Sequence, residues 1–185
     1  MYDNGPINGH GSGYAIDNAF KISDSFTLAG ASTVTGANFG IFTSPGVHLT
    51  SVDWTISSGS LGAGTVFGTG TAAVSDSYLF SVTNYDISKD SISIPTLNLG
   101  GGGYFFTLTN GAMDSLGSNA FWDQNNGPST AFAPGQPLSG SESFQILGPN
   151  ANPVPEPSQL TSLVMGLVAL GGLIVFARKR GNAAA

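Results

Sequence analysis

Before residue 158 no stretch of ten residues carries the apolar spacing of an amphipathic helix. Short runs of alternating residues stand in its place. Apolar side chains fall on every second position in Val52-Asp53-Trp54-Thr55-Ile56, in Ser91-Ile92-Ser93-Ile94 and in Ser143-Phe144-Gln145-Ile146. A period of two puts such residues on one face of a strand, so each run has one buried face and one wet face. Val, Ile, Thr, Phe and Tyr dominate further segments near 22–28, 32–42, 64–74, 77–83, 103–109 and 119–123. Gly and Pro at Ser44-Pro45-Gly46, at 100–103 and at Pro134-Gly135 separate them. Parallel α/β folds need crossover helices, and none is available here. About nine short strands at this spacing predict an all-β fold, an antiparallel jelly-roll-like β-sandwich over residues 1–147.

Residues 148–158 form a linker rich in Pro and Asn. Residues 159–177 follow as one transmembrane helix, and 178–185 as a basic cytoplasmic tail. The run from Leu160 to Phe176 has no charge. Its 17 residues reach about 25 Å as a helix, at the lower limit for a hydrocarbon core. Arg178, Lys179 and Arg180 close it and stay cytoplasmic by the positive-inside rule, which places residues 1–155 outside. In front of it stand Val154, Pro155, Glu156 and Pro157. Pro153, Pro155 and Pro157 fix φ and lack an N–H, so they hold this stretch extended, as a protease needs.

Motif, apolar span and basic cluster, in that order at a C-terminus, resemble the PEP-CTERM sorting signal of Gram-negative bacteria. The resemblance implies recognition by exosortase, an integral-membrane cysteine protease that processes the chain near the motif. The tail would then be an address and a temporary inner-membrane anchor, with later release to the surface or matrix. Residues 2–148 also resemble domains found in front of such tails. That likeness rests on Tyr2-Asp3-Asn4-Gly5-Pro6, Ser25-Phe26-Thr27-Leu28, Ser51 to Ile56, Ser93 to Leu99, Trp122 to Ser129 and Ser143 to Ile146. It implies an exported β-sandwich in the cell envelope or an extracellular polysaccharide matrix, and carries over no active site. Proteins of this kind begin with a signal peptide. Here Met1 is followed by Tyr2-Asp3-Asn4-Gly5-Pro6, so the expectation is a start called downstream of a leader; the alternative is a tail anchor acting alone.

Composition narrows the function classes. Charged residues make up 9 % of the chain, against about 25 % in ordinary globular proteins. In residues 1–157 Lys21 and Lys89 stand against all eleven acids, a formal charge of −9. Nucleic acid and anionic membrane surfaces need basic patches, so no nucleic-acid partner is expected. The lack of cysteine excludes disulfides, thiol catalysis and Cys-ligated metals.

Catalytic motifs are weak. Gly9-His10-Gly11-Ser12-Gly13 is not G-x-S-x-G and reads as a loop. His10 and His48 have no His-x-x-x-His spacing for zinc, and no phosphate-binding Gly-rich loop occurs. A glycosidase needs two facing carboxyls. Asp53, Asp76, Asp86, Asp114, Asp123 and Glu142 are available, but nothing pairs Glu142, the one glutamate before the linker, with another acid on one strand face. The expected function is structural or adhesive, with no catalytic activity. The alternative is a glycan-binding module. Tyr2-Asp3-Asn4-Gly5-Pro6 and Trp122-Asp123-Gln124-Asn125-Asn126-Gly127-Pro128 echo each other. Asp3, Asn4, Asp123 and Asn125 offer the oxygens that calcium uses, and are equally ordinary turn formers. Trp122 beside these amides suits a sugar platform or a packed ring. Trp54, between Val52 and Ile56, belongs to the core.

Overall fold

The computed structural model describes residues 1–9, 13–138 and 140–149. Val154 to Pro157, the apolar run Leu160 to Phe176, the basic Arg178, Lys179 and Arg180, and His10 with Ser12 lie outside the described residues.

Fourteen strands are present among the described residues: β1 (Tyr2–Asp3), β2 (Gly13–Ala15), β3 (Lys21–Leu28), β4 (Ser32–Thr43), β5 (Leu49–Ser57), β6 (Val66–Ser75), β7 (Tyr78–Val82), β8 (Tyr85–Leu99), β9 (Gly102–Met113), β10 (Phe121–Asn125), β11 (Ala131–Ala133), β12 (Gln136–Pro137), β13 (Ser141–Glu142) and β14 (Phe144–Leu147). One 3₁₀ turn, Ser60–Gly62, is the only helical piece among them, and no helix there is long and apolar enough to cross a membrane.

All pairings are antiparallel. One layer runs β1-β14-β4-β8, with β7 on the edge of β8 and β10 beside β4. The other runs β6-β5-β9-β3-β11-β12. β6 belongs to both. Its residues 66–73 pair with β5, whereas Val74 and Ser75 pair with Ile92 and Ser91 of β8. The sheet therefore curls over on itself into a sandwich-like all-β body.

The alternating runs set the core. Val52, Trp54 and Ile56 on β5 and Ile92 and Ile94 on β8 are all buried. Rings bridge the two layers at its centre. Phe106 on β9 lies 6.4 Å from Phe39, 5.7 Å from Trp122 and 5.8 Å from Phe144, centroid to centroid. Edge and tilted ring pairs of this kind add about 0.5–1.5 kcal/mol each beyond the area they bury.

The strands predicted near 22–28, 32–42, 52–56, 64–74, 77–83, 103–109, 119–123 and 143–146 are all present. β8 is longer than its alternating segment suggests, because it pairs with β4 along its length as well as with β6 and β7. β1, β2, β11, β12 and β13 have two or three residues each, too few to show a period.

Candidate functional site

The outward side of the first layer carries a polar row that crosses four strands. Asp3 on β1 sits opposite Gln145 on β14, Gln145 opposite Asn38 on β4, and Asn38 opposite Ser91 on β8. Each alternates along its strand with core residues such as Phe144, Phe39 and Ile92, so the pleat turns the polar set outward. Partners directly opposite share a face and touch. Ser91 Oγ donates to Asn38 Oδ1 at 2.8 Å, Asn38 Nδ2 to Gln145 Oε1 at 3.0 Å, and Gln145 Nε2 to Asp3 Oδ2 at 2.9 Å. A carboxylate only accepts, so Asp3 fixes which way both amides point. Its other oxygen takes the Gly5 N–H at 2.9 Å.

A second row lies alongside, with Lys89 on β8 opposite Gly40 on β4. The Gly40 N–H donates to the Ser143 carbonyl at 3.2 Å. A Cβ at Gly40 would stand 2.5 Å from Ser143 Oγ and 2.9 Å from both Asp123 Cβ and Ile7 Cγ2. Only glycine lets the N-terminal segment lie this close to the sheet.

Together these rows floor a cleft of about 480 Å³. Asp3, Asn38, Gln145 and Lys89 supply its polar groups, and Pro6, Ile7 and Leu79 its apolar walls. One wall is the N-terminal segment, held by Asp123, whose carboxylate accepts the Asn8 and Gly9 N–H groups at 3.1 and 3.2 Å. The other wall is β7. Its register against β8 shifts between Tyr78 and Phe80, so Leu79 is the extra residue of a bulge that re-aims its side chain. Among the described residues the one ion pair is His48 with Asp76, at 3.2 Å. Among the described residues the Lys89 ammonium thus has no carboxylate within ion-pair distance. A smaller recess of about 130 Å³ is lined by Gly13, Phe42, Tyr85 and Phe121.

No family model and no curated protein matches this chain.

The two echoing segments do meet, but their polar atoms turn inward. Asn125 Nδ2 donates to the carbonyls of Asn4 at 2.8 Å and Pro6 at 3.3 Å, and its Oδ1 accepts the Gly127 N–H at 2.8 Å. A Cβ at Gly127 would lie 2.2 Å from the Asn4 carbonyl oxygen. Asn4 is itself fully buried. Its Nδ2 is ringed by four oxygens: Ser141 Oγ at 2.5 Å, Ser129 Oγ at 2.6 Å, the Glu142 carbonyl at 2.7 Å and Asp24 Oδ2 at 3.1 Å. Trp122 is fully buried too, with its indole N–H on the Ser143 carbonyl at 2.9 Å and its ring against Phe39, Phe106 and Phe144. It is a packed ring with no face open to a sugar. Of the five residues singled out, only Asp3 reaches the cleft. Among the described residues no group of three His, Cys, Asp or Glu side chains is placed to hold a metal.

Glu142 has an acidic neighbour on another strand. Its backbone N–H donates to Asp24 Oδ2 at 2.6 Å, and both residues are sealed from solvent. The partner comes from β3, a strand far away in sequence, so no single-strand pattern reveals it. Burial raises the Asp24 carboxyl above its ordinary range, against the opposing pull of its hydrogen bonds. Burial, then the charges of Asp24 and Asp123, raises Glu142 well above its own. Among the described residues neither Glu142 carboxyl oxygen has a hydrogen-bond partner. A substrate cannot reach this pair, so it lacks the open gap that a glycosidase needs. The cleft residues Asn38, Lys89 and Gln145, and Ser91 at the end of the row, are absent from the site residues that the sequence singles out. The only signal for them is a polar residue at an outward position of each strand.

Proposed function

We propose that this chain is an exported, non-catalytic module that grips glycan in the outer-face cleft and serves a structural or adhesive role at the cell envelope. The observation that carries this reading is the directed Ser91–Asn38–Gln145–Asp3 row. Its amides are locked in orientation yet keep a second N–H and a second lone pair each, so donors and acceptors alternate along the cleft floor. Neighbouring hydroxyls on a sugar ring present the same alternation. Pro6, Ile7 and Leu79 suit the C–H faces of such a ring. The volume falls within the range of about 300–1,000 Å³ usual for small-molecule sites. No cofactor is required by this reading. The strand arrangement is taken as jelly-roll-like.

A binding screen against oligosaccharides cut from bacterial extracellular polysaccharide tests it. Replacing Asn38 or Gln145 by alanine should weaken binding at least about tenfold, the equivalent of one good hydrogen bond, with the melting temperature little changed. A protein that binds no member of the panel overturns the reading.

Delivery is assigned to the tail. Val154 to Pro157, the apolar run and Arg178 to Arg180 support sorting by an exosortase-type membrane protease, with Leu160 to Phe176 as an inner-membrane anchor before release. Replacing Pro155-Glu156-Pro157 by alanines should block processing and leave membrane insertion intact, as read by intact mass after cell fractionation. Normal trimming of that variant would remove the sorting role.

A further inference from the structure

The geometry points to an acidic sugar as the occupant of the cleft, with its carboxylate seated on Lys89. This rests on the glycan reading above and names the ligand class within it.

Two lysines are the only Lys or Arg residues before the tail. Lys21 lies on β3, opposite Thr109 in the second layer. Lys89 lies on the cleft floor, one rung from the amide row: Ser91 and Lys89 take successive outward positions on β8, as Asn38 and Gly40 do on β4. Because Gly40 has no side chain, nothing on β4 stands across from Lys89 to cover its ammonium. The domain holds ten acids from Asp3 to Glu142, yet none forms an ion pair with it among the described residues. A half-buried cation in so acidic a domain is the one feature of the cleft that a neutral sugar leaves unused. A sugar ring hydrogen-bonded to Asn38 and Gln145 would carry an exocyclic carboxylate toward the neighbouring rung. There a charge-assisted hydrogen bond is roughly twice as strong as a neutral one.

The charge balance also limits the class. The excess of acids repels a dense polyanion at long range. The fitting ligand is therefore a glycan with isolated uronic acids among neutral sugars, not a continuous polyuronate.

The test compares three probes on the full-length protein in detergent by ligand-observed NMR: cellobiose, cellobiouronic acid, and the methyl ester of that acid. The acid should bind at least about tenfold more tightly than either uncharged probe. That preference should shrink as salt rises from about 20 to 300 mM, because a partly exposed pair is screened. In Lys89→Met the ratio of the affinities for acid and ester should fall to near one. Lys89→Arg should keep a preference for the acid, and Lys21→Met should leave the ratio where it was. Equal affinities in the unaltered protein, or a preference that survives Lys89→Met, would overturn this inference and leave the glycan reading standing. No binding of any probe, with no binding across the oligosaccharide panel, would overturn both.

Discussion

Raising the pH from 5 to 8 is expected to cost the sandwich about 3 kcal/mol through Asp90 alone. Asp90 stands opposite Phe39 and shares its inward face, so its carboxyl is sealed in the core. The Ser88 hydroxyl donates to Oδ1 at 2.7 Å, and Oδ2 has no hydrogen-bond partner among the described residues. Burial pushes this carboxyl up to about 7, with the Asp76 charge adding to the rise and the Ser88 hydrogen bond and His48 opposing it. The folded state thus holds a proton that the unfolded chain, with a carboxyl near 4, gives up. Stability linked to that proton is fully present below about pH 4 and is lost as the pH climbs to about 7. Asp24 and Glu142 are raised as well and slope the same way. Urea unfolding at pH 5, 6, 7 and 8 should show a falling midpoint. Asp90→Asn should flatten the fall and make the variant the more stable protein at pH 8. A midpoint that rises with pH, or an unchanged slope in the variant, would refute the burial argument.

Asn4→Asp should destabilise the domain by about 3–5 kcal/mol at pH 7, more than Asn4→Ala at about 3. The Asn4 amide is the donor on which Asp24, Ser129, Ser141 and the Glu142 carbonyl converge. Alanine leaves those acceptors short of a partner. Aspartate does so and adds a charge beside Asp24 at a position sealed from solvent. Only the aspartate variant should recover on acidification, because its protonated form regains a donor. Thermal melts of both variants at pH 5 and 7.5 give the comparison. An Asn4→Asp loss below 1 kcal/mol would mean that the N-terminal segment is held by something other than this amide.

Period two made the core legible. Trp54 between Val52 and Ile56 and the Ile92–Ile94 pair were placed inward by alternation alone, and they are buried. Alternation says which face a residue takes but not what stands beside it. The Asp3–Gln145–Asn38–Ser91 row draws on four segments, and its existence depends on the registers of β1, β14, β4 and β8. One residue of slip in any strand would turn its member into the core. The same limit hid Asp24 from Glu142. Asn4, Asp123 and Asn125 show the opposite failure. Their composition suits a ligand cage, yet the chain uses those oxygens and amides on its own backbone and side chains, a choice decided by burial.

The first and last strands of the domain are hydrogen-bonded neighbours, Tyr2 against Ile146 and Asp3 against Gln145. Gly148 and Pro149 follow β14 directly. Tension applied beyond residue 148 would therefore enter the body through a four-residue strand clamped between β1 and β4. Gln145 is part of that strand and of the cleft floor. A pull on this end of the strand would thus be felt at the cleft before it reached the strands of the opposite layer, and a gripped ligand and such a load would strain the same four residues.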